Sequence, residues 1–270
     1  MTKRDELLGS VVVTTDYLAQ WGYVISDKWA AALDEMIFAG KFNPYHEPAG
    51  SSIGGQFASG AGGGGVITDK DKIIEAMADA YEKKYGFDKE HPREKYIERL
   101  KKHLSEASSE FVSKVEKGVG EAVNKYGVER VNVIARGQRT DANDRWVHAQ
   151  FDEQGYIVFI EQEEEDVLSS VGRIGAAPSQ ISSTFPNKYA GVYVHEVGHY
   201  EAFKNPDIYS RASAVDLDNK EIRTWVKENI SYYASTDDRE LAAEVFAISK
   251  HPDYSKLPDK TKEFVERILQ

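Results

Sequence analysis

The chain has 270 residues, with 34 Lys plus Arg against 45 Asp plus Glu, so its formal charge is −11. That acidic balance argues against non-specific nucleic-acid binding and against a basic membrane-surface role. The absence of Cys rules out disulfides, thiolate metal sites and a Cys nucleophile, and no run of about 18 apolar residues is present to span a membrane.

In chain order, residues 1–40 read as a small helical segment. Ser26 can cap a helix carrying Trp29, Leu33, Met36 and Ile37, and Gly40 ends it. Residues 41–68 break the pattern. The run from Phe42 to Gly50, then Gly54-Gly55 and Gly62 to Gly65, buries little apolar surface and predicts a flexible Gly-rich linker. No Gly-Lys-Ser/Thr follows these glycines, so they are not a phosphate loop. From residue 69 onward a third segment reaches the C-terminus, with a helical lead-in over 69–126 and a core over 127–270. Ile73, Ile74, Met77 and Tyr81 stand at helical spacing. Tyr96, Leu100, Leu104, Phe111, Val112 and Val115 continue a second, longer helical region, whose end Gly118 and Gly120 weaken, so two or three helices are expected before any strand.

Strands follow. Val131 to Ala135 is a β-rich run, and the runs Trp146–Phe151 and Tyr156–Ile160 flank Asp152-Glu153-Gln154-Gly155, which predicts a hairpin. The acidic run Glu161 to Asp166 reads as a solvated helix start, and His148 as a packing residue in a strand. Residues 172–186, with Gly172, Gly175, Pro178 and Pro186, read as a loop; its stretch from Arg173 to Pro186 is placed to cover a cleft. Helical patterning then runs to the C-terminus. Helices, a small mixed or antiparallel sheet, then helices predict an α+β fold.

The chemistry concentrates in one segment. Of seven His, His195 and His199 lie four residues apart around Glu196, as His-Glu-x-x-His. On a helix that spacing puts both imidazoles on one face, where they can reach one metal ion. Glu196, one residue on, can reach a metal-bound water and take its proton. A catalytic zinc takes three protein ligands, so a third must come from elsewhere. The continuation with a third close-spaced His is absent, since position 202 is Ala and position 205 is Asn. The best acidic candidates are Glu240 and Glu244, one helical turn apart on a segment that Asp237 can cap. One can bind the metal while the other holds a ligand histidine by its second ring nitrogen. Glu221 and Glu228 are fallback ligands. Two His and a carboxylate suit zinc, and also iron or manganese.

Two stretches, His195-Glu196-Val197-Gly198-His199 and Tyr233 through Ala247, with Glu240-Leu241-Ala242-Ala243-Glu244-Val245-Phe246 at its centre, resemble the catalytic domain of anthrax toxin lethal factor-like metallopeptidases, which are gluzincins. The resemblance implies a zincin-like fold with an active-site helix, and His195, His199 and Glu240 as ligands of a Zn²⁺ cofactor. It makes Glu196 the general base, Tyr233 a group that stabilises the oxyanion, and Glu244 a support behind the ligands. The implied activity is a zinc-dependent endopeptidase in which Glu196 activates a zinc-bound water. The sequence departs from the family where Leu241-Ala242-Ala243 stands in place of two aromatics. By the same resemblance, Tyr156–Ile160 offers a sheet edge to an extended peptide.

The stretch His46 to Gly60, with Gly54-Gly55-Gln56-Phe57-Ala58-Ser59, is similar to segments of tailed-phage head-morphogenesis and portal-associated proteins. It implies a phage or prophage origin and phage structural proteins as partners, beside a peptide or protein substrate. The alternative of another class is a virion-associated structural protein with a structural or inactive metal site. Val11 to Val13 is too short an apolar patch for a signal-peptide core, so the expected location is the cytoplasm of a bacterial host or the virion.

Overall fold

The structure, a computed structural model, describes residues 65–142, 147–152, 155–162 and 173–270. The chain divides into two units, Met1–Gly54 and Gly55–Gln270, and every described residue belongs to the second. The expected helix within 1–40, residues 41–64 of the expected linker, Trp146 and the acidic residues Glu163 to Asp166 lie outside the described residues.

Among the described residues the fold is mixed α+β, with eight α-helices and one four-stranded mixed sheet. The order is β1 (Val66–Ile67), α1 (Lys70–Tyr85), α2 (Arg93–His103), α3 (Ser109–Tyr126), β2 (Asn132–Arg136), β3 (Ala149–Asp152) and β4 (Tyr156–Ile160). Then come α4 (Lys188–Lys204), α5 (Pro206–Ser213), α6 (Lys220–Asn229), α7 (Asp238–Ser249) and α8 (Asp259–Leu269). The strands lie in the order β1-β2-β4-β3, with β1, β2 and β4 parallel and β3 antiparallel to β4. The predicted β3–β4 hairpin is present. Its turn closes with the Gly155 amide on the Asp152 carbonyl at 2.8 Å, and Gly155 takes a φ of 89°, a conformation that costs glycine little.

The period of two in each strand sorts the core into two faces. Val133, Ala135, Ile157 and Phe159 face the large core with α3 and α4. Ile134, Val158 and Ile160 face a smaller cluster with Ile73, Ile74, Leu100 and Leu104 of the first two helices and the residue after them. β4 is therefore apolar at every position and β2 at its three central ones, as strands covered on both faces are.

Two expectations about the sheet need correction. Tyr156–Ile160 is not an edge: β2 pairs with it on one side and β3 on the other, so the exposed edges belong to β1 and β3. Val66 and Ile67, placed in the linker, pair with Val133 and Ile134 in the sheet. Three helices, α1 to α3, precede β2, the upper of the two numbers expected. Leu104 leaves the helix to form a bridge with Arg139, and Ser108 caps α3 through its hydroxyl on the Phe111 amide. Glu161 and Gln162 follow β4 outside any helix, with the Glu161 carboxylate accepting the Ser108 amide at 2.7 Å, and the rest of the expected acidic helix start lies outside the described residues.

Gly118 does not weaken the helix, which runs on to Tyr126. It lets α3 approach α4, because a Cβ at Gly118 would come 2.5 Å from the Tyr189 Cβ. The segment 69–126 is thus no mere lead-in: Phe111, Val115, Val119, Ala122 and Tyr126 share one core with α4. A substitution at this crossing separates propensity from packing. Gly118→Ala gains about 1 kcal/mol of helix propensity, yet overpacking of about 1–3 kcal/mol should outweigh it and leave a net loss of up to about 2 kcal/mol. Denaturant unfolding of the variant checks this, and a stabilised variant would refute the close approach.

Candidate metal centre

Helix α4 starts where Asn187 accepts hydrogen bonds from the Tyr189 and Ala190 amides at 3.0 and 3.3 Å. The Asn187 side-chain amide in turn donates to Glu121 of α3 at 2.9 Å. Every residue from Tyr189 to His199 is buried. A helix apolar on all sides belongs inside a core, so the few polar side chains on this stretch need partners or a ligand. Those side chains include His195, Glu196 and His199, at 6%, 6% and 9% exposure. The two imidazole rings lie 4.9 Å apart between centroids, edge to face.

Helix α7 supplies the third group. Asp237 caps it, accepting from the Arg239 and Glu240 amides at 2.9 and 3.0 Å. Glu240 is buried, and its Oε2 lies 3.2 Å from His195 Nε2 and 3.4 Å from His199 Nε2. Three atoms each about 2.1 Å from one tetrahedral ion stand roughly 3.4 Å apart, so the observed spacing fits a shared cation. His195, His199 and Glu240 are the one group among the described residues whose donor atoms converge in this way, all within 4.8 Å of one another. They are a buried group able to hold a metal ion. Gly198 makes the convergence sterically feasible. A Cβ there would come 2.8 Å from the Cα and the carbonyl oxygen of Ala243. Small residues on both helices, Gly198 and Ala243, let α4 and α7 meet.

Glu244 is fully buried. Its Oε1 lies 2.7 Å from His195 Nδ1, and its Oε2 accepts from the Ile181 amide at 2.7 Å and from the Ser231 hydroxyl at 2.6 Å. A carboxylate only accepts, so Nδ1 of His195 donates and Nε2 faces Glu240. Burial disfavours a charged His195, but hydrogen bonds and charge from Glu240 and Glu244 outweigh it and hold its pKa well above the ordinary value. The same negative field favours a bound cation.

Glu196 is buried beside this group, and its Oε2 has no hydrogen-bond partner among the described residues. Such an atom costs free energy unless a ligand or water satisfies it. Tyr233 sits in a short 3₁₀ turn, Tyr233–Ser235, with its ring centroid 5.7 Å from that of His195. Burial and the charges of Glu240 and Glu196 push its phenol pKa up, so it stays protonated.

The fallback residues Glu221 and Glu228 are exposed on α6 and lie outside the group. His148 is partly buried, which lowers its pKa, and is likewise outside it. The stretch 173–186 is no free lid. Tyr232 and Tyr233 donate their amides to the carbonyls of Pro178 and Ser179, each at 2.9 Å, while Ile181 and Phe185 are buried in the core. Sequence reasoning missed Ser231 and the Ile181 amide. Neither carries a spacing signal; only the demand of a buried carboxylate for several donors points to them. No helix among the described residues is long and apolar enough to cross a membrane.

No protein-family model, no curated protein and no solved structure matches this chain.

Glu240 offers a ligand atom, while Glu244 acts on His195 from behind. Glu240→Ala should therefore weaken Zn²⁺ binding more than Glu244→Ala, which should cost about 10–100-fold. Chelator competition on the two purified variants measures both, and the reverse order would move the third ligand to Glu244.

Proposed function

We propose that this chain is a zincin-like, zinc-dependent endopeptidase. The observation that carries the reading is Glu196: a buried carboxylate with an unsatisfied oxygen, next to a His-His-Glu group spaced for one cation. A structural site closed by four ligands has no use for such a carboxylate. The donor set, two imidazoles and one carboxylate, suits zinc with a position left open.

Zn²⁺ held by His195, His199 and Glu240 would lower the pKa of a coordinated water to about 7 and polarise a carbonyl. Glu196 takes the proton from the attacking water and hands it to the leaving amine. Tyr233, kept protonated by burial and by the neighbouring carboxylates, donates a hydrogen bond to the developing oxyanion of the peptide carbonyl. Glu244 fixes the ring of His195 throughout. The burial of His195, Glu196, His199, Glu240 and Glu244 strengthens each electrostatic interaction among them relative to water. The likeness of residues 46–60 to phage head segments supports phage structural proteins as partners.

Metal analysis and cleavage of a random peptide library, run together on wild type and Glu196→Gln, test the reading. Wild type should hold one equivalent of zinc and cleave. Glu196→Gln should keep the metal and lose about 10²–10⁴-fold in turnover. Metal in both proteins with equal cleavage would remove Glu196 from its role, and metal without cleavage in either would favour the structural alternative. Tyr233→Phe should lower kcat by about 10²–10³-fold with KM little changed; steady-state kinetics on the best library peptide decides it.

A further inference from the structure

Ser231 is fully buried and lies on no helix or strand. Its hydroxyl makes two bonds of opposite sense. It donates to Glu244 Oε2 at 2.6 Å and accepts from the Ala234 amide at 2.9 Å. Neither role can be exchanged, because a carboxylate only accepts and a backbone amide only donates. The hydroxyl is therefore locked between two structures: the carboxylate that orients His195, and the turn that carries Tyr233.

We infer that Ser231 is a positioning residue that couples the metal-holding group to Tyr233 through Glu244. Oε1 of Glu244 holds His195, and Oε2 is held by Ser231 and the Ile181 amide. Removing the hydroxyl leaves Oε2 with one donor, so the carboxylate can pivot away from Nδ1 and the imidazole loses its fixed orientation. The same removal deprives the buried Ala234 amide of its acceptor and loosens the turn beneath Tyr233. One atom thus sets two of the groups on which the metallopeptidase reading depends. The inference rests on that reading in its turnover arm alone; its metal arm stands on the geometry.

Ser235 supplies the control. It lies in the turn of Tyr233, is also buried, and donates to the Tyr232 carbonyl at 2.6 Å, with no hydrogen bond to Glu244 among those of the described residues. A residue that only holds the turn together predicts the same outcome for both serines. Zn²⁺ affinity is measured by chelator competition on full-length wild type, Ser231→Ala, Ser235→Ala, Glu244→Gln and the double variant Ser231→Ala/Glu244→Gln. Ser231→Ala should lose about tenfold or more in affinity, while Ser235→Ala lowers the melting temperature and leaves affinity unchanged. The double variant should bind little worse than Glu244→Gln alone, because both changes break one linkage. In turnover, Ser231→Ala should lower kcat with KM little changed, and should add little to Tyr233→Phe. Should Ser231→Ala fail to fold, Ser231→Cys keeps the side-chain size with a weaker donor and should show a several-fold loss.

Wild-type affinity in Ser231→Ala, or full additivity with Glu244→Gln, overturns the coupling. A wild type that binds Zn²⁺ and cleaves no peptide sinks the peptidase reading alone, and the binding cycle still judges Ser231. A wild type that binds no Zn²⁺ overturns both.

Discussion

One buried carboxylate constrains the rest of this structure. Glu244 has no exposure to solvent, and an isolated ionised carboxylate in such a place is costly. Its cost is offset because three donors converge on it: the imidazole of His195, the hydroxyl of Ser231 and the amide of Ile181. Each donor comes from a different stretch of chain. Helix α4, the segment leading into it, the turn before α7 and α7 itself must therefore all be in place for the carboxylate to be tolerated. A polar network of this kind specifies one arrangement because its half-satisfied alternatives are worse than none.

Packing makes that convergence reachable. Two glycines, Gly118 where α3 meets α4 and Gly198 where α4 meets α7, remove the side chains that would hold the helices apart. The helix propensity each forgoes is small beside the gain in fit. The sheet acts as a partition. Its central strands are apolar on both faces, so α1 and α2 cover one side while α3 and α4 pack on the other. The histidine helix is thereby enclosed, so the carboxylates beside His195 hold its pKa well above the ordinary value, and Glu196 keeps an unsatisfied oxygen.

Much of the candidate site was legible in the sequence because helices have a fixed period. His195 and His199 at four-residue spacing, and Glu240 and Glu244 at the same spacing, each announce one face of a helix, and the structure sets those two faces against each other. Strand positions were legible for the same reason, through alternation and the Asp152–Gly155 turn. Neighbour relations in the sheet were not. Alternation is the same for a central strand as for an edge strand, so the enclosure of Tyr156–Ile160 between two others left no local mark. The place of the break between α2 and α3 was left open because apolar residues keep helical spacing across it, although Ser108 is a recognisable cap. Ser231 was illegible in principle. Its role comes from a hydrogen bond across 13 residues, and no period or motif encodes a contact formed only when tertiary structure closes.

The linkages around Glu244 span 63 residues to Ile181 and 49 to His195. All of them wait for one of the later helices of the chain. During synthesis, everything up to and including the histidine helix emerges first, and domains form as units once their parts are available. A nascent chain that has displayed His195 and His199 still lacks Glu240 and the carboxylate behind them. The order of residues along the polypeptide therefore acts as a timer, withholding the complete metal-holding cluster until the rest of the fold has been made.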